Sequence, residues 1–206
     1  MPACPPALTA ADTPGPRWPR LALLMAVAVA AAVTLSGCAG LRAGAQAGSS
    51  EASAGAAAQA AREAQRQALA NALEGASVSV LLMPDGQLQL NVPSDFSFTL
   101  DKADIRAEGR PVLDKIATQL QAPAFVAMRV RVVGHTDSQG GAALNETLSL
   151  ARAQSVQRYL ESHGVAASRL QALGMGEREP IAPNDKPYGR TLNRRIEIYL
   201  KDAAAP

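Results

Sequence analysis

The stretch VGHTDSQGGAALNETLSLARAQSV, residues 133–156, decides how this chain folds. Apolar residues alternate with other residues just before it, which predicts a strand over residues 125–133. Helix-forming residues that follow it predict a long helix over residues 141–163. The loop between these elements carries an acid, Asp137, and the helix carries a base, Arg152. We therefore expect a site that holds a zwitterionic or anionic ligand at the mouth of a strand-loop-helix unit.

The surrounding segments predict an α+β domain. Two apolar runs around Pro84-Asp85-Gly86 predict a β-hairpin over residues 78–92, and an apolar face predicts a helix over residues 107–121. The remaining predictions are a short strand at Phe96–Phe98, a strand at 169–173, a polar loop over 174–193, and a final strand whose buried set is Ile196, Ile198 and Leu200. This order, β-α-β-α-β-β after a hairpin, predicts a two-layer sandwich in which a mixed sheet carries both helices on one face.

Candidate ligand groups collect at the start of the predicted long helix. Asn145, Ser149 and Arg152 are spaced i, i+4 and i+7, so one helix face presents all three. A loop folded back over this face brings Asp137 and Thr136 close. A zwitterionic ligand end needs an acceptor-only carboxylate and a planar, permanently charged guanidinium, which Asp137 and Arg152 supply. Thr136 and Asn145 would then be secondary ligands or would fix the loop.

The same residues also allow a purely structural interpretation. An aspartate in a strand-helix loop often caps the helix, and an arginine on the helix often pairs with it. His135 is expected to pack or to form structural hydrogen bonds rather than to act as an acid or base. Of Arg194 and Arg195, one is expected to brace the binding loop, and Arg195 is expected to face away from the apolar side of the last strand.

Residues 1–37 have the pattern of a secretory leader. Arg17 and Arg20 precede the apolar run LALLMAVAVAAAVTLSG, residues 21–37, which is shorter than the roughly 20 apolar residues of a spanning helix. The run leads directly to Cys38, and its last residues with this cysteine, LSGC, resemble the lipobox of bacterial lipoproteins. This implies cleavage before Cys38 and attachment of acyl chains such as palmitate to it. The alternative is an uncleaved inner-membrane anchor with an incidental cysteine.

Residues 38–75 are predicted to be a tether. They are rich in Ala, Gly, Ser and Gln, and residues 56–74 are strong helix formers with almost no apolar stripe. Gly75 is a natural helix stop. We expect a solvated, partly helical spacer rather than a coiled coil, because large apolar residues are too few for a seam. The folded domain is then expected over residues 76–203.

Composition argues against several classes of function. The net charge is only +2, so nothing indicates the basic surface that nucleic-acid binding requires. The chain has two histidines and two cysteines, which do not form a metal-ligand pattern. We expect no cofactor, no metal and no enzymatic activity, because the sequence shows neither paired carboxylates nor an activated nucleophile of the kind that hydrolysis needs.

Further motifs carry a family resemblance. Besides residues 133–156, they are Tyr159-Leu160, Gly164, Arg169, Gly174, Gly176-Glu177, Pro180-Ile181-Ala182, Asn184, Gly189-Arg190 and Asn193-Arg194-Arg195-Ile196-Glu197-Ile198. With this order and spacing, residues 77–200 resemble the OmpA-like C-terminal domain. That domain is the peptidoglycan-binding module of peptidoglycan-associated lipoproteins and of flagellar stator proteins.

The resemblance implies a ligand and a location. The ligand is peptidoglycan, held through the diaminopimelate of its stem peptide, with the ammonium group on Asp137 and a carboxylate on Arg152. The location is the outer membrane, with a lipid anchor at Cys38 and the domain facing the periplasm. One departure is Thr99, which follows Phe98 where the family usually has an acidic residue. Asp101 is therefore the nearby acid expected to contribute to the ligand pocket.

The sequence also bears on three other functions. A wall-localised adaptor of an envelope, secretion or motor complex would use peptidoglycan binding only to position itself and would also meet protein partners. A stator-like protein needs a spanning helix with an ionisable residue, which residues 21–37 do not supply. A peptidoglycan hydrolase would need paired carboxylates or an activated nucleophile, and this sequence shows neither. The adaptor is the alternative that the sequence does not separate from a membrane-to-wall tether.

Overall fold

A computed structural model describes residues 47–99 and 102–203 of the chain. The predicted leader, Cys38 and the start of the tether precede these residues, and Asp101 falls in the gap, so the predictions for them lie outside the described residues. Within the described part, no helix is both long enough and apolar enough to cross a membrane.

One five-stranded mixed sheet forms the frame of the domain. Its strands are β1 Ser79–Leu82, β2 Leu88–Pro93, β3 Met128–His135, β4 Leu170–Gly176 and β5 Arg195–Asp202. They lie in the spatial order β1-β2-β5-β3-β4, with β3 and β4 parallel and every other neighbouring pair antiparallel. A parallel pair needs a crossover connection. The long helix between β3 and β4 supplies it.

The helices begin and end where their residues favour it. They are α1 Ala47–Ala72, α2 Ser94–Ser97, α3 Arg110–Gln121, α4 Ala142–Ser162 and α5 Pro187–Asn193, with a short 3-10 turn at Ala167–Arg169. Pro111 lies in the first turn of α3, where its missing N–H leaves no bond unmade. Gly164 follows α4 with a φ of +93°, a left-handed conformation that favours glycine and ends the helix.

The core lies between one face of the sheet and the helices. Its strand residues are Leu88, Leu90 and Val92 from β2, Met128, Val130 and Val132 from β3, and Ile196, Ile198 and Leu200 from β5. Its helix residues include Val112, Leu113, Ile116 and Leu120 from α3 and Val156 and Leu160 from α4. This arrangement confirms the predicted α+β fold, with a mixed sheet and helices on one face.

The opposite face of the sheet carries a buried polar network. Glu197 accepts hydrogen bonds from Arg195 Nε at 2.8 Å and from the Tyr199 hydroxyl at 2.7 Å, and it lies 3.1 Å from His135 Nε2. Burial alone would raise the pKa of Glu197, but these hydrogen bonds outweigh it and lower the pKa to about 2. Arg195 does face away from the apolar side, as predicted, yet it is buried there because Glu197 pairs with it.

The last turns of α1 correct one prediction. Leu69 and Leu73, one helical turn apart, are 1% and 2% exposed and belong to the core. Gln65 Nε2 donates to the carbonyl of Ala124, and Arg62 forms an ion pair with Asp202. This part of the predicted tether is therefore not a solvated spacer. Two leucines are too few to form an apolar stripe that sequence patterns reveal.

The predicted strand at Phe96–Phe98 is wrong. Ser94–Ser97 form one helical turn, and only Phe98 makes an isolated antiparallel bridge, with Ile105. The Ser97 hydroxyl donates to the carbonyl of Pro93 at 3.0 Å, and the N–H of Phe98 donates to Ser94 at 2.8 Å, so local bonds close the turn. Alternation over three residues is too short a pattern to separate a strand from a turn.

Two boundaries also differ from prediction. Residues 125–127 form a turn, because the N–H groups of Phe125 and Val126 both donate to Ala122, so β3 starts three residues later than expected. The segment 174–193 is not all loop, since it contains the end of β4 and helix α5.

Helix α4 buries a face that its leucines did not predict. Leu144 is 65% exposed, whereas Asn145, Ser149 and Arg152 are buried. A Cβ built on Gly134 of β3 would lie 2.8 Å from the carbonyl carbon of Ser149, so the helix backbone rests directly on the strand. Because the two backbones are so close, the small side chain of Ser149 fits at this contact. Leu144 faces solvent instead.

Candidate functional site

A cavity of about 380 Å³ opens where β3 ends and β5 begins. Its wall is formed by Ser94, Asp95, Phe98, Thr99, Arg106, Thr136, Asp137, Gln139, Asn145, Leu148, Arg152 and Arg194. Four of the six predicted ligand residues are thus brought together at one cavity. Ser149 does not line it, and Asp101 lies outside the described residues.

Asp137 is held from two sides and is only 7% exposed. Its Oδ1 accepts the backbone N–H of Gln139 at 3.0 Å, and its Oδ2 accepts Nη1 of Arg194 at 2.6 Å. A carboxylate offers about four acceptor positions, so these two bonds leave capacity for a ligand donor. The helix cap predicted as the structural alternative is not what holds it, because Gly141 is the N-cap of α4 and no side chain caps it.

Arg194 bridges two carboxylates across the cavity. Its Nε and Nη2 bind Asp95 as a two-pronged pair at 2.6 and 2.5 Å, while Nη1 binds Asp137. Nη2 also donates to the hydroxyl of Thr191 at 2.9 Å. The hydrogen bonds to Asp95 and Asp137 raise the pKa of Arg194, with Asp95 the larger cause. Of the two arginines considered from sequence, Arg194 is therefore the one that braces the loop.

Arg152 is a buried cation in the cavity wall, 5% exposed. Its Nε donates to the backbone carbonyl of Lys102 at 2.9 Å. The guanidinium carbon lies 5.4 Å from the centre of the Phe98 ring, within the range of a cation–π contact. These contacts fix the plane of the guanidinium, so its position does not depend on a ligand.

Two hydroxyl groups in the cavity wall are unsatisfied. Ser94 and Thr136 are 1% and 5% exposed, and among residues 47–99 and 102–203 neither side-chain oxygen has a hydrogen-bond partner. A buried hydroxyl without a partner costs free energy, so such groups in a native protein call for an explanation. A polar ligand in the cavity would supply it.

Asn145 fixes the loop that carries Asp137. Its Nδ2 lies within hydrogen-bond distance of the carbonyls of Asp137 and Gln139, at 3.2 and 3.0 Å, and of Glu177 Oε2 at 2.7 Å. The fully buried Ser149 has a different role. Its hydroxyl donates to the carbonyl of Glu146 at 2.8 Å and accepts the N–H of Gly176 at 2.9 Å, which ties α4 to β4. Ser149 therefore holds two elements together and does not line the cavity, and a direct contact with a ligand stays a prediction.

Sequence reasoning missed Asp95, Ser94 and Arg106 in this wall. No local sequence pattern indicates that Asp95 belongs to the cavity, because its partner Arg194 lies 99 residues away. The pairing of β2 with β5 brings the two residues together. Arg106 forms a weak exposed pair with Glu108 at 3.3 Å. No group of three or more His, Cys, Asp or Glu within the described ranges could hold a metal ion.

The charges of the cavity are fixed before any ligand arrives. Three guanidinium groups and two carboxylates face the same space, and one of the cations already joins both acids. Such a set can bind a small group that carries both an ammonium and carboxylates, by charge-assisted hydrogen bonds. The charged groups that line the cavity therefore have the properties of a recognition site.

Comparisons with known proteins agree with this architecture. Residues 97–194 match the OmpA family. The Escherichia coli (strain K12) protein named "Probable lipoprotein YiaD" is 38% identical over 128 residues, which cover 62% of this chain and 57% of that protein. The chain therefore spans little more than half the length of this relative.

Two solved structures have similar folds. The cell wall anchor of the T6SS from Pseudomonas aeruginosa has a TM-score of 0.58 at 33% identity, covering 66% of this chain and 97% of that one. A MotB-like protein from Desulfovibrio vulgaris has a TM-score of 0.62 at 25% identity, covering 71% and 99%. Fold, cavity and family match together define a domain of the OmpA-like class. The chain contains this OmpA-like domain, and helix α1 precedes it.

Proposed function

We propose that this chain is a non-enzymatic protein that binds peptidoglycan non-covalently through its OmpA-like domain. The observation that carries the proposal is the cavity in which Arg152 and the bridged pair Asp137–Arg194 face two unsatisfied hydroxyls. The similarity to a cell wall anchor supports it.

The proposed ligand is the diaminopimelate of the stem peptide. Its free end carries an ammonium and a carboxylate, and the cavity offers opposite charges for both. The ammonium would use the open acceptor positions of Asp137, and the carboxylate would meet the guanidinium of Arg152. Thr136 and Ser94 would donate or accept the remaining hydrogen bonds. Asp101, next to Lys102, would add an acid to the wall.

The proposed anchor is a lipid on Cys38 in the outer membrane, which places the domain in the periplasm. Stable lipid anchoring takes more than one chain, which a multiply acylated cysteine would provide. The part of α1 before Arg62 has 15 residues, which at about 1.5 Å per residue would add a spacer of roughly 22 Å between membrane and domain, because the later turns pack on the domain. Many such molecules on one polymer act together, so each site can be weak.

A pull-down tests the proposal. The full chain in non-ionic detergent is sedimented with purified diaminopimelate-type peptidoglycan, beside Arg152→Ala and a matched control, Arg158→Ala. Arg158 is an exposed arginine of the same helix that donates a hydrogen bond to the hydroxyl of Ser155 and does not line the cavity. We expect wild type and the control to pellet and Arg152→Ala to remain in solution with an unchanged circular dichroism spectrum. Equal pelleting of all three would refute the site.

A second candidate function is a wall-localised adaptor of an envelope complex. The observation that favours it is the 33% identity to a structure described as part of the T6SS. The two functions differ in what the wall-binding variant does in cells. If the Arg152→Ala chain still supports the wild-type phenotype, protein partners carry the function. If the phenotype equals that of deletion, wall attachment carries it.

A further inference from the structure

The open face of the sheet holds a second concave surface, far from the cavity at Asp137. It is a groove of about 520 Å³ lined by Gln87, Arg129, Val130, Arg131, Ser168, Arg169, Leu170, Gln171, Tyr199 and Lys201. We call it the basic groove. It lies at the start of β3 and the end of β5, whereas the first cavity lies where β3 ends and β5 begins. A ligand in one would not occupy the other.

The strand register places like charges side by side in this groove. Arg129 of β3 is directly opposite Lys201 of β5, and Arg131 is two residues further along β3. Like charges directly opposite on neighbouring strands destabilise a sheet. All three side chains are exposed, and within residues 47–99 and 102–203 none of them forms an ion pair with a carboxylate. Hydrogen bonds from Gln87 lower the pKa of Asp85 at the hairpin turn, and the charge of Lys201 adds a smaller effect in the same direction.

The groove is also ordered by neighbouring groups. Arg131 lies 4.8 Å above the ring of Tyr199, which is a cation–π contact. The hydroxyl of that tyrosine is fixed by Glu197 and by Gln89 Nε2, at 2.7 and 3.0 Å. Arg169 closes one end, where its guanidinium donates to three backbone carbonyls, those of Met128, Leu120 and Phe125. The groove therefore has a rigid floor and an ordered cation at its centre.

We propose that the basic groove binds an extended, acidic segment of a partner protein, with carboxylates at alternate residues. Side chains on the same face of an extended chain repeat every second residue, so such a segment matches the spacing of Arg129 and Arg131. Gln87 and Gln171 flank the cations and can bond the backbone of that segment. A concave groove suits a chain better than a flat lipid surface. Opposed like charges of this kind cost stability locally, and such local costs are expected at functional surfaces.

Calorimetric titration tests this proposal. The full chain in non-ionic detergent is titrated at about 20 mM salt, where screening is weak, with an octapeptide of alternating Glu and Thr. The matched peptide has Gln in place of Glu. Arg129→Gln/Arg131→Gln is compared with Arg110→Gln/Arg158→Gln, which removes the same charge from exposed positions on the helix layer. We expect binding of the acidic peptide alone, at least tenfold weaker in the groove variant and unchanged in the control variant.

Stability and an alternative ligand complete the test. Relief of the repulsion between Arg129 and Lys201 should offset the lost cation–π contact of Arg131, so the melting temperature of the groove variant should stay close to that of wild type and lost binding would not reflect unfolding. No binding of the acidic peptide, or equal binding by both variants, would overturn the proposal. So would groove-dependent binding of dihexanoyl phosphatidylglycerol without binding of the peptide, because the groove would then be a lipid-headgroup site.

Discussion

Arg194 and Asp137 are joined by a 2.6 Å ion pair, although they lie 57 residues apart in the chain. The same guanidinium holds Asp95, so one side chain connects the start of β5, the loop after β3 and the turn after β2. The binding loop is therefore positioned by a cation that belongs to the protein. The acid predicted to take a ligand ammonium is partly neutralised before the ligand arrives.

Arg194→Ala should weaken peptidoglycan binding strongly and lower the free energy of unfolding only modestly. Loss of the bridge leaves Asp95 and Asp137 as two uncompensated carboxylates, which would repel each other and loosen the loop. We expect wall binding to fall at least tenfold and the free energy of unfolding to fall by about 1 to 2 kcal/mol. Pelleting with peptidoglycan and urea denaturation measure the two effects.

The control for this variant is Arg178→Ala. Arg178 pairs with Glu146 at 3.2 Å on the surface and does not line the cavity. It should bind the wall as wild type does. Arg194→Lys tests the two-pronged geometry with Asp95, because lysine provides a point charge and not a planar fork. Normal peptidoglycan binding by Arg194→Lys would mean that the charge matters and the geometry does not.

Gly134→Ala should disrupt the fold at its tightest contact. An added Cβ would lie within 3 Å of the backbone carbonyl of Ser149, so α4 would have to move off the sheet. Overpacking of this kind costs about 1 to 3 kcal/mol, and backbone cannot yield as a side chain does. Since Arg152 and Asn145 sit on the same helix, wall binding should be lost as well. Thermal melts and pelleting test this.

Gly141→Ala serves as the matched glycine control. This residue has a φ of −92°, and nothing lies within 4 Å of an added Cβ. It should bind as wild type does and should lose much less stability than Gly134→Ala, because its only expected cost is that alanine is a poorer N-cap than glycine. A Gly134→Ala chain as stable as Gly141→Ala would contradict the close packing of α4 on β3.

Much of this fold could be predicted from the sequence, for reasons that differ between elements. β3, α3 and β5 have apolar residues at the spacing of their own periodicity, so pattern alone located them. α4 was located too, but its leucines do not mark its buried face. The face is set by the glycines opposite it and not by its leucines, and no local pattern reports which strand a helix will touch.

Part of the cavity wall could be predicted because one short segment of sequence contains it. Asp137, Asn145 and Arg152 lie within 16 residues, so helix geometry was enough to gather them. Asp95 was missed because it reaches the cavity only through a strand pairing between distant parts of the chain. Helical spacing gives the face on which Ser149 lies but not its depth, and at this depth its hydroxyl accepts the N–H of Gly176.

Leu69→Ala/Leu73→Ala should destabilise the domain although both residues lie in the predicted tether. Each side chain is almost fully buried, and truncation of a buried leucine costs about 2 to 5 kcal/mol. We expect a clear fall in the free energy of unfolding by urea, with wall binding unchanged at temperatures where the variant remains folded. Leu81→Ala, at a position 49% exposed, is the control and should cost much less. Equal stability of the two variants would mean that α1 does not pack on the domain.

Glu197 should make stability depend on pH in the acid range. Its folded-state pKa of about 2 lies below the ordinary value of 4.5, so the unfolded chain binds the proton more readily. The resulting stability is fully present above about pH 5 and is lost as the pH falls toward 2. Glu197→Gln should remove this contribution, on the order of 2 to 3 kcal/mol at neutral pH, and should also leave Arg195 buried without its partner.

The measurement is the difference in unfolding free energy between wild type and Glu197→Gln, followed from pH 7 to pH 2.5. We expect the difference to be largest at neutral pH and to shrink as the pH falls, because protonated Glu197 also lacks its charge. Glu74→Gln, which removes an exposed carboxylate, should instead follow the wild-type curve throughout. A difference that stayed constant with pH would show that the carboxylate acts through packing and not through its charge.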